Sequence, residues 1–562
     1  MPNSRPFIRV AFAACCAALI ASQTYAGGRT IDPDQPLPRL PVTRLIIKAS
    51  DKSGPELSAT EASSRVAAIA SAVGQPMTFS HIAGLGAMIA RLDTPMSPAQ
   101  AEQLARRIAQ QPGIAYAEPD GRAFPLLVPN DARYASDQWD LKPQTSGSYG
   151  IDAQTAWNTT NGNGLRVAVL DTGIVTHTDL TGQTVGGYDF ISDAAVANDG
   201  NGRDPDPSDP GDWVTFTESN TSGGSFEKCP VGNSSWHGTH VTGTIAALTN
   251  NSIGVAGIAY GAKVVPIRVL GKCGGFTSDI ADAITWAAGG SITGVPPNTN
   301  VAKIISLSLG GQGPCNLTYA NAIATARSLG ALVVVAAGND RSGAAGYAPA
   351  NCPGVLTISA TAQDGTRATY TNVGQPATLS APGGDKAYDT AILSTLNTGT
   401  TSPVASPAGD TYVAYQGTSM ATPHVSAVAA LMWAVQPTLA PHHLAAFMRG
   451  SATPYSTGIG VTWDCDIVRC GDGVLHAARA VAAAQACTSP PTGKPAAIDI
   501  SCNGDYDGNG IVDPLTDGLI ATRLAMGFTG TAVTQNALGA CATRTTYAAL
   551  RLWSNRNCGT SY

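Results

Sequence analysis

A chain of 562 residues is longer than one hydrophobic core usually organises, so several folding units are expected. Hydrophobic residues make up 43% and charged residues only 13%, with 62 glycines, which is a globular composition rich in tight turns and weakly charged at its surface. The net charge of −6 argues against nucleic acid as the main partner, and nothing in the sequence resembles a basic groove.

In chain order, Arg5 and Arg9 come first, followed by the apolar run VAFAACCAALIA (10–21) and by SQTYA ending at Ala26. A positive start, a short apolar centre and a small-residue end predict a secretory signal removed after Ala26. The run falls short of the roughly 18–20 residues of a membrane span, and no later stretch reaches that length without a charge or a Gly/Pro break. Ten of the 12 cysteines remain once Cys15 and Cys16 leave with the signal, an even number that predicts disulfides in an oxidising compartment.

Residues 27–41 are rich in Gly and Pro. From Leu45 the pattern reads as a strand, an Ala-rich helix (59–73), strand-like segments through GAMIARL, a helix from Ser97 to Gln110 and a strand in GIAYAEPD (113–120). That is a small βαββαβ unit. FPLLVPND (124–131) then reads as an exposed linker.

From Pro129 to Cys487, unbroken β-branched runs alternate with helical ones. The runs LRVAVLD (165–171), KVVPIRVL (263–270), AKIISLSL (302–309), ALVVVAAGN (331–339) and VLTISAT (355–361) have the character of strands covered on both faces. TSDIADAITWAAGG (277–290) and LTYANAIATARSLG (317–330) are helical. The predicted fold class is α/β: a doubly wound, mostly parallel sheet with helices on both faces, whose functional residues cluster at the carboxyl ends of the strands. TSPPTGKP (488–495) is a linker to a small C-terminal unit carrying DYDGNGIVDPLTDG (505–518).

Three polar residues stand where that sheet places chemistry. Asp171 ends a strand, His237 and His240 open the helical stretch HGTHVTGTIAA, and Ser419 precedes the helical run MATPHVSAVAALMWAV, at a positive helix terminus. Acyl transfer needs a nucleophilic oxygen, an imidazole to take its proton and a carboxylate to fix the imidazole tautomer. It also needs a donor for the developing oxyanion, and Asn339 in AAGN offers one. Ser308, Leu309, Gly310 and Gly311 form an edge poor in side chains, on which a peptide could pair as an added strand.

The blocks VAVLDTGI, HGTHVTGTIAA, AAGN and GTSMATPH resemble the defining blocks of subtilisin-like serine proteases, in the same order and spanning about 165–435. The resemblance implies that Asp171 orients His237, that His237 serves as general base and then acid, that Ser419 is the nucleophile, and that Asn339 donates to the oxyanion together with the Ser419 N–H. It makes the first histidine of HGTH the working one, with His240 packed and hydrogen-bonded, His424 a helix-packing residue, and Thr418 and Thr422 turn and capping groups.

The same resemblance implies an organisation: signal 1–26; propeptide 27–126, acting as inhibitor and folding aid, with processing within 120–129; peptidase domain 127–487; and linker with C-terminal domain 488–562. Partners are then protein and peptide substrates and the protein's own propeptide. The protein is expected to be a secreted monomer with no membrane span. Calcium is the implied cofactor, because hard cations take carboxylate, amide and carbonyl oxygens. The loop LTNNSIGV (248–255) resembles the family's calcium loop, offering Asn251 and the carbonyls of Ile253 and Val255, supported by Asp179 and Asp131.

Two further acidic segments suggest metal. Asp199, Asp204, Asp206, Asp209 and Asp212 crowd into 199–213 and would repel one another unless solvated or neutralised, making the last four of them a candidate second calcium site. Asp505, Asp507, Asn509, Ile511 and Asp513 resemble the first nine positions of an EF-hand or dockerin-type loop; the usual acid at position twelve is Thr516, with Asp517 one place late. Cysteine positions suit pairs Cys229–Cys273, Cys315–Cys352 and Cys465–Cys470, leaving Cys487, Cys502, Cys541 and Cys558 unordered among themselves.

Two other readings remain. A secreted, catalytically silent module on the same fold could present a peptide groove, though an intact triad speaks against it. A lipase or esterase would normally carry a GxSxG elbow, and G-T-S-M-A departs from it at the fifth position.

Overall fold

The computed structural model describes residues 41–561 other than 51–56, 85, 122–127, 146, 389, 456–469, 500–501 and 559. The signal segment 1–26, most of the expected processing region and Cys465 lie outside the described residues.

The first unit runs β1 (Val42–Ala49), α1 (Ala59–Val73), β2 (Met77–Ile82), β3 (Met88–Met96), α2 (Pro98–Ala109) and β4 (Ile114–Pro119). Its four strands pair antiparallel in the order β2-β3-β1-β4. Helix starts follow from local chemistry. Ser58 accepts the Glu61 N–H at the head of α1, and Ser97 forms a reciprocal box with Gln100 at the head of α2, where Pro98 occupies the first turn. Leu45, Ile47, Val66, Met88 and Leu104 are buried between the sheet and the two helices.

The central sheet has seven strands, all parallel: β5 (Arg166–Asp171), β6 (Tyr188–Asp189), β7 (Lys263–Arg268), β8 (Ile304–Leu307), β9 (Leu332–Ala336), β10 (Leu356–Thr361) and β11 (Ala377–Pro382). Their spatial order is β11-β10-β9-β8-β5-β7-β6. Alternate residues of β5 enter opposite cores: Val167 and Val169 join one, Ala168 and Leu170 the other. This is why the strand reads as an unbroken apolar run. Helices Thr277–Ala287 and Leu317–Ser328 cover the second core. The helix Thr418–Val435 crosses the first and is buried over most of its length.

Disulfides join Cys229 to Cys273 and Cys315 to Cys352 as expected; Cys487–Cys541 ties the C-terminal unit to the end of the α/β domain, and Cys502–Cys558 closes within that unit. Cys470 is disulfide-bonded. Among the described residues no helix is long and apolar enough to cross a membrane.

Candidate active site and metal centres

Asp171 is the last residue of β5 and fully buried. Beyond Thr172 the chain turns at Gly173, whose φ is +103° and where an added Cβ would lie 2.6 Å from the Pro207 carbonyl. Glycine is required there on both counts. Asp171 Oδ1 accepts the Thr172 N–H at 2.8 Å and the His237 Nδ1–H at 2.8 Å. A carboxylate only accepts, so this contact places the proton of a neutral imidazole on Nδ1 and leaves Nε2 free as a base.

His237 opens the helix His237–Ala246 and its side chain is 22% exposed. Burial of the ring disfavours its charge, but Asp171, Asp212 and Asp209 together outweigh that and raise its pKa above the ordinary 6.5. His240, one turn on, behaves differently. It is fully buried, donates Nε2–H to the Val413 carbonyl at 2.9 Å and stacks on Tyr415 at 4.6 Å; burial pushes it down to about 3. His424 is buried too, bonded to the Met420 carbonyl and to Asp140.

Ser419 is the second residue of helix Thr418–Val435. Its hydroxyl donates to the Ser308 carbonyl at 3.1 Å, while the Ser308 hydroxyl donates to the Ser419 carbonyl at 2.8 Å. The two chain segments are thereby tied together. Among the described residues the Ser419 hydroxyl has no bond to the imidazole, and such contacts often tighten only when substrate is present. Asn339 lies just beyond β9. Its Oδ1 accepts both the N–H and the hydroxyl of Thr418, at 2.9 and 3.0 Å, which fixes the amide with Nδ2 facing away from them. An added Cβ at Gly417 would stand 3.5 Å from Ser419 N and 3.7 Å from Asn339 Nδ2, so both donors flank one small space. The contribution of Thr418 to orienting Asn339 goes beyond the turn role read from the sequence.

A cleft of about 720 Å³ runs past Thr172, His237 and Ile280 to Ser308, Leu309 and Gly310. Gly311 and Gln312 pair antiparallel with Tyr347 and Ala348, so the far end of the expected peptide edge is already partnered.

The first metal set comes together in part. Asp179 accepts from Asn251 Nδ2 at 2.7 Å, from the Val255 N–H at 3.1 Å and from Tyr412 at 3.2 Å. Asn251 Oδ1 holds the Ile253 N–H at 2.9 Å, and Asp131 Oδ2 holds the Asn250 N–H at 2.9 Å. Burial, with the nearby Asp131, pushes Asp179 up to about 6, and Asp131 Oδ1 is buried with no partner among the described residues. Two neighbouring carboxylates, one of them with an orphaned oxygen, and the Asn251 amide oxygen are donors of the kind a hard cation takes.

The expected second site is not assembled. Asp204 accepts from Asn201 Nδ2 and the Asp206 N–H, each at 2.6 Å, Asp206 from the Ser208 N–H at 3.0 Å, and Asp209 from the Gly211 N–H at 2.9 Å. Asp212 accepts the N–H and hydroxyl of Ser235 at 2.6 and 2.7 Å. Asp199 pairs with Arg268 at 2.9 Å. The repulsion expected from sequence is relieved by separate local donors and one buried guanidinium. Among the described residues the only cluster of three metal-capable acidic groups is Asp505, Asp507 and Asp517, all buried, with oxygens within 4.8 Å of one another. Here the expectation is corrected at one position. Asp517, first residue of the helix Asp517–Ala525, enters the cluster, whereas Asp513 accepts the Leu515 N–H and gives its own N–H to Asp517. Asn509 and Ile511 lie in the loop between, the Asn509 side chain accepting the Ile511 N–H.

Residues 162–472 match the Subtilase family. The chain is 46% identical over 403 residues to an extracellular protease of Xanthomonas campestris pv. campestris, covering 71% of this chain and 64% of that protein. It is 45% identical over 355 residues to an extracellular basic protease of Dichelobacter nodosus, covering 63% and 56%. It thus spans less than two thirds of the length of these two relatives. A solved protease of Pseudoalteromonas arctica PAMC 21717 superposes with a TM-score of 0.57 at 48% identity, over 64% of this chain and 100% of that one.

Proposed function

The chain belongs to the subtilase family, and from that premise we propose that it is a secreted serine endopeptidase, made as a zymogen, that cleaves extracellular proteins and peptides. The observation that carries this is the 2.8 Å Asp171–His237 contact, with Ser419 at a helix head in a folded α/β sheet. On this reading the Ser419 hydroxyl leaves the Ser308 carbonyl and attacks the scissile carbonyl carbon, passing its proton to His237 Nε2. Asp171 holds the resulting imidazolium through Nδ1. The carbonyl electron pair moves onto oxygen and is met by Asn339 Nδ2–H and the Ser419 N–H, then returns to expel the amine, which takes the proton back from His237. Water repeats the sequence on the acyl-enzyme and restores Ser419.

The unit from β1 to β4 serves as an inhibitory propeptide, cut within 120–129, and the mature protein is a monomer. The names of the Xanthomonas and Dichelobacter relatives support an extracellular location. Calcium would be held by Asp131, Asp179 and Asn251, and by Asp505, Asp507 and Asp517, where it would neutralise crowded carboxylates and stiffen their loops.

The test uses purified mature protein and casein. We expect hydrolysis that a serine-directed phosphonate abolishes stoichiometrically, and none in Ser419→Ala. Undiminished hydrolysis by Ser419→Ala overturns the proposal, and a parent protein silent at every calcium level and pH tried overturns it in favour of the binding module.

A further inference from the structure

The acidic insertion that fails to form a metal site has a different use. Its residues 207–209 run beside the turn after Asp171: Ile174 N–H donates to the Pro207 carbonyl at 3.1 Å, and Asp209 N–H donates to the Ile174 carbonyl at 3.0 Å. Three residues later Asp212 accepts the N–H of Ser235 at 2.6 Å and its hydroxyl at 2.7 Å. Ser235 Oγ in turn accepts the N–H of His237 at 3.3 Å. One short segment therefore grips the chain on both sides of the Asp171–His237 pair.

Between Ser235 and His237 stands Trp236, a bulky residue in the left-handed region with φ 48° and ψ 32°. Such a conformation is strained for an L-residue and persists only where the surroundings enforce it. Two contacts enforce it here: the indole N–H on the Gly399 carbonyl at 2.7 Å, and the double grip of Asp212 on the preceding residue. The left-handed turn is what launches His237 at the head of its helix toward Asp171.

We propose that Asp212 is a positioning residue for His237, holding the Ser235–Trp236 turn so that the imidazole stays on Asp171. This rests on the endopeptidase reading, in which His237 is the general base. Asp212 touches no reacting atom in this role and acts through Ser235.

The experiment compares the mature parent protein with Asp212→Ala, Asp212→Asn and Ser235→Ala, counting working sites by phosphonate titration and measuring kcat and KM per titrated site on a peptide anilide. A misplacement of about 1 Å costs up to about 100-fold, so we expect kcat to fall roughly 10- to 100-fold in Asp212→Ala with KM within about twofold. Asp212→Asn keeps an acceptor for the Ser235 N–H and recovers part of the loss. Should Asp212→Ala not accumulate, Ser235→Ala carries the same test. Unchanged kcat per titrated site, with only fewer sites or a lower Tm, reduces Asp212 to a structural residue and overturns the proposal. A raised KM with intact kcat assigns it to substrate contact, and restoration of Asp212→Ala by millimolar calcium assigns it to a metal; each overturns it. A parent protein without titratable sites refutes the endopeptidase reading instead, and does so before any variant is made.

Discussion

Segments 199–212 and 505–517 are both rich in aspartate and glycine, yet in the first the carboxylates disperse and in the second three converge. The difference lies in what reaches them from elsewhere. Into the first segment β7 sends Arg268, fully buried, bonded to Asp189 and Asp199, and close enough to Asp209 to favour its charge. In the tail the buried Arg544 gives its N–H groups to the carbonyls of Tyr506 and Asp505 and stacks on Trp553 at 4.5 Å, so it braces the loop from behind. Burial with the repulsion of Asp517 and Asp505 pushes Asp507 up to about 7, although Arg544 favours its charge, and burial with the repulsion of Asp505 pushes Asp517 up to about 6. Acid spacing alone does not decide whether carboxylates gather. What differs is the supply of a guanidinium to the carboxylates themselves, which Arg268 gives to Asp189 and Asp199, whereas the Arg544 bonds go to backbone carbonyls.

The largest effect should come from removing that supply. Arg268→Met leaves buried Asp189 unpaired and should cost about 3–5 kcal/mol, as breaking a buried pair does, with no relief from calcium. Urea unfolding in a Ser419→Ala background, which prevents self-digestion, measures it; full rescue by calcium would make the two segments equivalent after all. Next in size is calcium binding at the tail. A ligand at about 100 times its Kd adds about 2.7 kcal/mol. The gain in Tm with calcium should shrink in Asp517→Asn and largely persist in Asp513→Asn, and the reverse order would return the cluster to the spacing read from sequence.

Much of this was legible beforehand, because it is local. Strand runs and the blocks around Asp171, His237, Asn339 and Ser419 each depend on residues close in sequence, and the Cys229–Cys273 and Cys315–Cys352 disulfides formed as expected. What was not legible depends on partners far along the chain. The Asp212–Ser235 grip spans an intervening short helix, Phe216–Asn220, and Arg268 meets its acids from another strand. Asp517 entered the tail cluster because helix Asp517–Ala525 begins at that residue and turns its carboxylate back toward the loop, which counting positions does not reveal.

A pH series sharpens the contrast further. Burial pushes Asp209 from its ordinary 3.8 up to about 7. A carboxyl raised in the folded state contributes stability that is complete below about 3.8 and is lost as pH rises through about 7. Asp209→Asn should therefore flatten the decline in unfolding free energy between these values, with or without chelator. A slope that persists in the variant would place its origin elsewhere.

The smallest effect concerns Glu218, which lies just beyond the same insertion and is a partly exposed carboxylate paired with the buried Lys272. Its bond to Lys272, together with the Thr215 N–H at 2.7 Å, lowers its pKa to about 2 from 4.5. The sign is opposite to that of Asp209: the contribution is present above 4.5 and is lost as pH falls through about 2. Its side chain is 30% exposed, so screening and side-chain entropy limit the pair, and Glu218→Gln should cost only about 0.5 kcal/mol at neutral pH. Because Lys272 also lies 4.8 Å over Trp213, next to Asp212, that variant tests whether the grip on Ser235 depends on the Glu218–Lys272 pair. Unchanged kcat per titrated site in Glu218→Gln is expected, since Asp212 holds Ser235 through two hydrogen bonds of its own.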